Sequence, residues 1–102
     1  MPTLFQEKVY AKLREVPKGR FTTYAELAKA IGSTAVRAVG TAMRCNPYAP
    51  EVPCHRVVRS DGEVGKFSGK GGVKGKSKLL QDEGIWIRNG KIVDFEGKCF
   101  RF

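Results

Sequence analysis

Residues 23–44 read TYAELAKAIGSTAVRAVGTAMR, and this run decides how the chain folds. Thr23 stands three residues before Glu26, the spacing of a capping box, and opens a helix. Tyr24, Leu27, Ala28 and Ile31 share one face of that helix, and Gly32 stops it. Ser33 or Thr34 is placed to cap a second helix over 35–44. There Val36, Val39 and Met43 are expected to face inward, while Arg37, Thr41 and Arg44 line another face. Two short helices joined by a tight turn at Gly32 and Ser33, the second studded with arginine, spell a helix-turn-helix. On its own that pattern fits any small helical pair with surface arginines.

On the N-terminal side, Phe5, Val9, Leu13 and Val16 recur at helical spacing with charged residues between them, which predicts an amphipathic helix over 3–16 ending before Pro17 and Gly19. On the C-terminal side, Pro47, Pro50 and Pro53 exclude a regular helix and predict a rigid, extended approach to Cys54. Residues 62–78 are rich in glycine and carry Lys66, Lys70, Lys74, Lys76 and Lys78, which reads as a loop, either solvated or touching phosphate. Leu79 and Leu80 belong to a helix ending at Gly84. Beyond it Ile85, Trp86 and Ile87 meet Ile92, Val93 and Phe95 across Asn89-Gly90, a strong hairpin signal. There is no internal repeat and no linker.

The chain has 102 residues, enough for one modest core, so residues 1–102 are expected to form a single domain. No apolar run approaches the ~20 residues of a membrane span, and residues 1–6 lack the marks of a secretion signal. A cytoplasmic protein without membrane contact, monomeric in solution, is the expectation. Nineteen Lys plus Arg against ten Asp plus Glu leave a net charge of +9. Such a surplus suits a polyanion, nucleic acid above all, because neutralised phosphates release counterions. Cys45, Cys54 and Cys99 are odd in number, contain no CxxC pair and are joined by only one histidine. Neither a disulfide framework nor a metal site fits them, and no cofactor is implied.

The chemistry concentrates at Pro53-Cys54-His55-Arg56-Val57-Val58, where a thiol adjoins the only imidazole in the chain. The thiolate is the nucleophilic form of cysteine, and a nearby base or positive charge raises its share. Neighbours in an extended strand point opposite ways, so His55 is expected to reach Cys54 through a turn or a bridging water.

Here the pattern resembles the C-terminal domain of the O6-alkylguanine-DNA alkyltransferases, which carry a Pro-Cys-His-Arg-Val motif at an acceptor cysteine. The likeness runs in the family's order through Phe21-Thr22-Thr23-Tyr24-Ala25-Glu26-Leu27-Ala28, Val36-Arg37-Ala38-Val39-Gly40, Ala42-Met43-Arg44, Asn46-Pro47, Gly65-Lys66-Phe67-Ser68-Gly69 and Leu79-Leu80-Gln81-Asp82-Glu83-Gly84. It implies that Cys54 takes the alkyl group irreversibly from O6 of guanine in duplex DNA. His55 would be its water-linked base and Glu83 the carboxylate that orients the imidazole. Asn46 would brace the turn around the site, and Tyr24 would donate to guanine N3. Arg37 would be the finger that fills the gap left by a flipped nucleotide, on a helix whose small residues Ala38, Gly40, Thr41 and Ala42 permit close approach, with Arg44 also facing DNA. The backbone around Val57 and Ser68 would bind the guanine edge, with Met43 and Phe67 as apolar walls.

The implied fold is a small α/β domain, mainly helical and winged-helix-like, with a helix-turn-helix, short strands and a C-terminal β-hairpin. This sequence departs from the family's pattern at Phe67, where many members carry tyrosine, and at Cys45, where glycine is usual before Asn-Pro. The Lys-rich segment after Gly69 is slightly longer than usual. The 102 residues correspond almost wholly to the family's C-terminal domain, so any zinc site of its N-terminal domain is expected to be missing from them. Two rival readings stand. An alkyltransferase-like protein binds the lesion without accepting the group, but typically has tryptophan where this chain has Cys54. A winged-helix transcription regulator would use the helix pair, basic surface and hairpin, but leaves Cys54, His55 and Glu83 without a purpose.

Overall fold

In the computed structural model, residues 2–49, 51–65 and 71–102 are described. Helix α1 spans Leu4–Leu13 behind a reciprocal capping box. The Thr3 hydroxyl accepts from the Gln6 amide at 3.1 Å, and the Gln6 side chain accepts from the Thr3 amide at 3.0 Å. The helix is shorter than the 3–16 expected. The Glu15 and Val16 amides fall back on the carbonyls three residues earlier, because Pro17 keeps its predecessor out of helical backbone. Val16 is buried even so.

After the two-residue strand β1 (Thr22–Thr23), helix α2 (Tyr24–Ala30) starts on Thr23, whose hydroxyl accepts from the Glu26 amide at 3.0 Å. The reciprocal half of the box is replaced by an ion pair between Glu26 and Arg101 at 2.7 Å. Gly32, at φ 72°, closes α2 with two back-bonds, Gly32 to the Lys29 carbonyl and Ser33 to that of Ala28. Helix α3 (Val36–Arg44) then begins without a side-chain cap. The Ser33 hydroxyl does accept a bond, but from the Ala35 amide ahead of the helix. Val39, Ala42 and Met43 face inward; Val36, expected to join them, is 43% exposed beside Arg37.

Around Tyr48 and Val52 the chain folds back on itself instead of running extended, with the Val52 amide bonded to the Tyr48 carbonyl at 3.0 Å. A 3-10 turn, Cys54–Arg56, leads into β2 (Val57–Val58), which pairs in parallel with β1 in the register Thr22↔Val57 and Thr23↔Val58. Two-residue strands have no alternation to read, and nothing in the sequence announced this pair. The Gly- and Lys-rich segment is not one loop either: from Gly72 it is helix α4 (Gly72–Asp82), and Lys74, Lys76 and Lys78 lie within it. Gly84, at φ 89°, ends α4 as expected, with its own amide bonded to Gln81 and that of Ile85 to Leu80.

Strands β3 (Ile87–Arg88) and β4 (Lys91–Ile92) form the expected antiparallel hairpin, with positive φ at both Asn89 and Gly90. Residues 62–64 lie along the other edge of β4: Ile92 donates to the Gly62 carbonyl and Val64 to that of Gly90. Phe95 leaves the hairpin for a short helix, α5 (Phe95–Lys98). The chain then returns to β1, where the Phe100 amide meets the Phe21 carbonyl at 2.6 Å and the Arg20 guanidinium holds the carbonyls of Lys98 and Cys99.

One apolar cluster gathers Val9, Tyr10, Leu13, Leu27, Val39 and Val57 between α1, α2 and α3; a second gathers Phe21, Val58, Val64, Leu80, Ile85 and Cys99 under the C-terminal half. The β1–β2 pair feeds both. The result is the mainly helical, winged-helix-like α/β architecture that the sequence implied. Among the described residues, no helix is long and apolar enough to cross a membrane.

Candidate active site

Three local devices bring the site together. Asn46 closes the turn before Cys54 with both ends of its amide: its nitrogen donates to the Val52 carbonyl at 2.8 Å, and its oxygen accepts from the Tyr48 amide at 2.9 Å. The 3-10 turn then sends Cys54 and His55 in different directions. Cys54 is half-buried and reaches a groove, whereas His55 is 7% exposed and points into the protein. Finally, the glycine stop at Gly84 leaves Glu83 as the C-cap of α4, where its carboxylate meets His55.

The His55 Nε2 atom lies 3.0 Å from Glu83 Oε2. Arg56 grips the same carboxylate with two bonds, Nε to Oε1 at 2.9 Å and Nη2 to Oε2 at 2.7 Å, while its Nη1 donates to the Val16 carbonyl at 2.9 Å. Burial alone would push the Glu83 carboxyl upward, but the hydrogen bonds from Arg56 and His55 outweigh it and hold the pKa below its ordinary value. A carboxylate only accepts, so Nε2 of His55 carries the hydrogen in this contact and Nδ1 is left as the basic nitrogen of the neutral ring. Burial also pushes the Tyr24 hydroxyl up, with the nearby Cys54 adding to the effect, so the phenol stays protonated and able to donate.

The groove in front of Cys54 measures about 1380 Å³, above the ~300–1,000 Å³ of pockets that enclose a small ligand. Tyr24, Arg37, Thr41, Met43 and Arg44, all singled out from the sequence, line it together with Cys54. Ala38 and Val57 are not among its lining residues, and the Val57 side chain is wholly buried. His55, Glu83 and Asn46 stand behind the groove. Phe67 and Ser68 lie outside the described residues. Sequence reasoning missed Arg56 as the second anchor of Glu83, although it sits inside the motif. It also missed Arg59, on the groove wall, and Lys76, buried within α4. A lysine in a Gly- and Lys-rich run carries no signal of burial. Among the described residues, no three His, Cys, Asp or Glu side chains gather in a way that could hold a metal ion.

Comparisons with known proteins agree with this geometry. The family model described as 6-O-methylguanine DNA methyltransferase, DNA binding domain, matches residues 4–85. The methylated-DNA–protein-cysteine methyltransferase of Thermococcus kodakarensis is 49% identical over 84 residues, covering 81% of this chain and 46% of that protein. The chain thus spans less than half of that relative's length. Among solved structures, S. pombe Atl1 in complex with damaged DNA containing O6-carboxymethylguanine superposes with a TM-score of 0.85 at 30% identity, covering 100% of both chains. Mycobacterium tuberculosis OGT in complex with DNA gives 0.77 at 39% identity, over 82% of this chain and 51% of that one.

Proposed function

This chain belongs to the 6-O-methylguanine DNA methyltransferase family of DNA repair proteins, and from that premise we propose that residues 1–102 act as one alkyltransferase domain. Its substrate is duplex DNA containing O6-alkylguanine, and its acceptor is Cys54. The observation that carries this reading is the part-buried, hydrogen-bonded line of Arg56, Glu83 and His55 behind a thiol that opens on a groove.

The geometry supports the following course of reaction. With Nε2 of His55 tied to Glu83, the remaining nitrogen, Nδ1, takes the Cys54 proton through a water, and Glu83 steadies the imidazolium that forms. The sulfur then attacks the alkyl carbon in line with the carbon–oxygen bond. The carbon–sulfur bond forms, the carbon–O6 bond breaks, and its electron pair stays with the guanine, which gains a proton to become the ordinary base. Tyr24 donates to guanine N3 and spreads the charge that develops there. The base must leave the stack first, at a cost of a few kcal/mol, and Arg37 occupies the gap. Met43, Phe67, Ser68 and the backbone at Val57 hold the flipped base, while Ala38, Thr41 and Arg44 face the DNA. A thioether is a poor leaving group, so each chain reacts once.

One observation favours a second reading, a lesion-binding protein without transfer: Atl1 matches the full length of this chain, including the hairpin and tail beyond residue 85 where the family model stops. Incubation with duplex DNA containing O6-methylguanine, followed by intact and peptide mass, separates the two. One added methyl on the Cys54 peptide, capped at one per chain and lost in Cys54→Ser while DNA binding persists, is the expected result. Tight lesion binding with no mass shift would establish the sensor instead.

A further inference from the structure

The β3–β4 hairpin carries side chains that the transfer chemistry leaves unused. Its register, Ile87↔Ile92 and Arg88↔Lys91, sorts them onto two faces. Ile87 and Ile92 pack on the apolar cluster of the C-terminal half. The Val93 amide donates to the Trp86 carbonyl at 2.9 Å, which continues the ladder and places Trp86 and Val93 on the other face, with Arg88 and Lys91. Trp86, the only tryptophan in the chain, is 71% exposed there, and Arg88, Lys91 and Val93 are exposed beside it. A single exposed apolar side chain is ordinary. An exposed indole next to two like charges set directly opposite each other is not, because such a charge pair works against the ladder. Neither Arg88 nor Lys91 makes an ion pair among the described residues.

We propose that this face of the hairpin is a second DNA-binding surface, on which Arg88 and Lys91 hold backbone phosphates beside the lesion and Trp86 packs its ring against the adjoining sugars. The inference rests on the groove receiving DNA, and it adds a contact beyond α3. Continuity with the groove picks the occupant: Gly90, in the turn that Arg88 and Lys91 flank, lines the groove together with Cys54, Arg37 and Arg44. Trp86 follows two residues back along β3, about 7 Å from Arg88. A duplex laid along α3 that passes the groove's rim at Gly90 meets the two cations first and the indole next. Charge points the same way, since α3 contributes only Arg37 and Arg44 to a chain whose surplus is +9. Glu63 is the acid in the row; it stands opposite Lys91 across the pairing of residues 62–64 with β4, and it lines the groove. It repels phosphate at that edge, so the DNA backbone is expected over Arg88 and Lys91 and clear of Glu63.

Because Trp86 is the only tryptophan, its fluorescence reports this face and no other. Cys54→Ser protein is titrated with an O6-methylguanine duplex that extends about one helical turn beyond the lesion on each side. Binding is read from the anisotropy of a dye on the DNA, and access to Trp86 from quenching by acrylamide with unlabelled DNA. Saturating DNA is expected to cut that quenching by about twofold or more. Replacing both cations, Arg88→Gln with Lys91→Gln, should weaken binding by about tenfold and flatten the fall of log affinity with log salt by about 1.8, or 0.9 for each phosphate released. With Cys54 restored, the same double variant should react with the free O6-methylguanine base at the wild-type rate. Unchanged quenching with DNA bound, or an unchanged salt slope in the double variant, would overturn the second surface and leave the alkyltransferase reading standing. Failure of the duplex to bind at all would overturn both. Protection of Trp86 by polyglutamate and not by duplex would give the face to an acidic protein and overturn the proposal.

Discussion

The two sides of Cys54 are built on opposite terms. Behind it, a few largely buried charged side chains are tightly bonded: Glu83 receives His55 and both arms of Arg56, and Arg56 also ties the C-cap of α4 to Val16 in the segment after α1. In front of it, α3 begins without a side-chain cap and holds Val36 and Arg37 out toward the groove. The rear has its interactions in place before any substrate arrives, as proton transfer requires, because small errors of position there are costly. The front is left open for a large partner to complete. Changes behind Cys54 should therefore cost stability and chemistry together, and changes in front should cost function on DNA alone.

The sharpest attempt to break that division is Glu83→Gln. Loss of the carboxylate leaves Arg56 without its counter-charge and His55 without support for its imidazolium. Transfer is expected to slow by about a hundredfold, the lower end of what a proton-transfer group contributes. Stability should fall by about 3 kcal/mol, near the low end for a broken buried pair because the amide oxygen still accepts one bond. The acid limb provides a check on the cause. Glu83 titrates below its unfolded value of 4.5, so its stabilisation is complete above that value and lost as pH falls through the lower folded one. Chemical denaturation should find this acid loss in wild type and its absence in Glu83→Gln; equal acid sensitivity would assign the shift to other carboxyls.

Lys76→Met tests the same region with the opposite sign. The folded pKa of about 8 lies under the unfolded 10.5, so between these values the unfolded chain binds more protons and Lys76 makes wild type gain stability as pH rises. The penalty below pH 8 is on the order of 3 kcal/mol. The stability of Lys76→Met relative to wild type should thus be most favourable at neutral pH and decline from pH 8 to 10.5. A difference that does not vary with pH would mean the ammonium is not held at a cost.

In front of Cys54, Arg37→Ala should leave thermal unfolding within a degree or two, as exposed positions do, yet slow repair of a lesion in duplex DNA by about tenfold, a loss of roughly 1.4 kcal/mol in the flipping step. The free O6-methylguanine base needs no flipping, and its reaction should be unchanged. If both substrates slow equally, Arg37 belongs to the rear of the site in function, and the division fails.

How much of this could be read in advance follows the same line. The helix pair, the glycine stops at Gly32 and Gly84 and the Asn89-Gly90 turn each have a local cause in backbone geometry, and the structure has them where the sequence put them. Cys54 and the groove-lining Tyr24, Arg37, Thr41, Met43 and Arg44 came from motifs, and they do gather. What escaped depends on partners far away in the chain. The parallel pairing of Thr22–Thr23 with Val57–Val58 joins two strands too short to show a period. Arg56 owes its place to Val16 and Glu83, which are 40 and 27 residues distant. Lys76 reads as one more lysine of a solvated or phosphate-touching loop, because burial of a charge is decided by what closes over it and not by its neighbours in sequence. Val36 erred the other way: helical periodicity turned it inward, and the first turn of α3 opens on the groove instead.

The smallest expected effect concerns the turn that sets the two regions apart. The sequence offers Ser33 or Thr34 as the cap of α3, but the Ser33 hydroxyl accepts from the Ala35 amide two residues on, before α3 begins. A true cap replaced by alanine costs about 0.5–2 kcal/mol. A bond in an exposed turn that satisfies no helical amide should cost less, a few tenths of a kcal/mol at most. Ser33→Ala is therefore expected to unfold almost where wild type does and to transfer alkyl groups at the wild-type rate. A loss above about 1 kcal/mol would show that the hydroxyl anchors α3 after all, and the front of the site would then share the tight bonding that otherwise belongs to the rear.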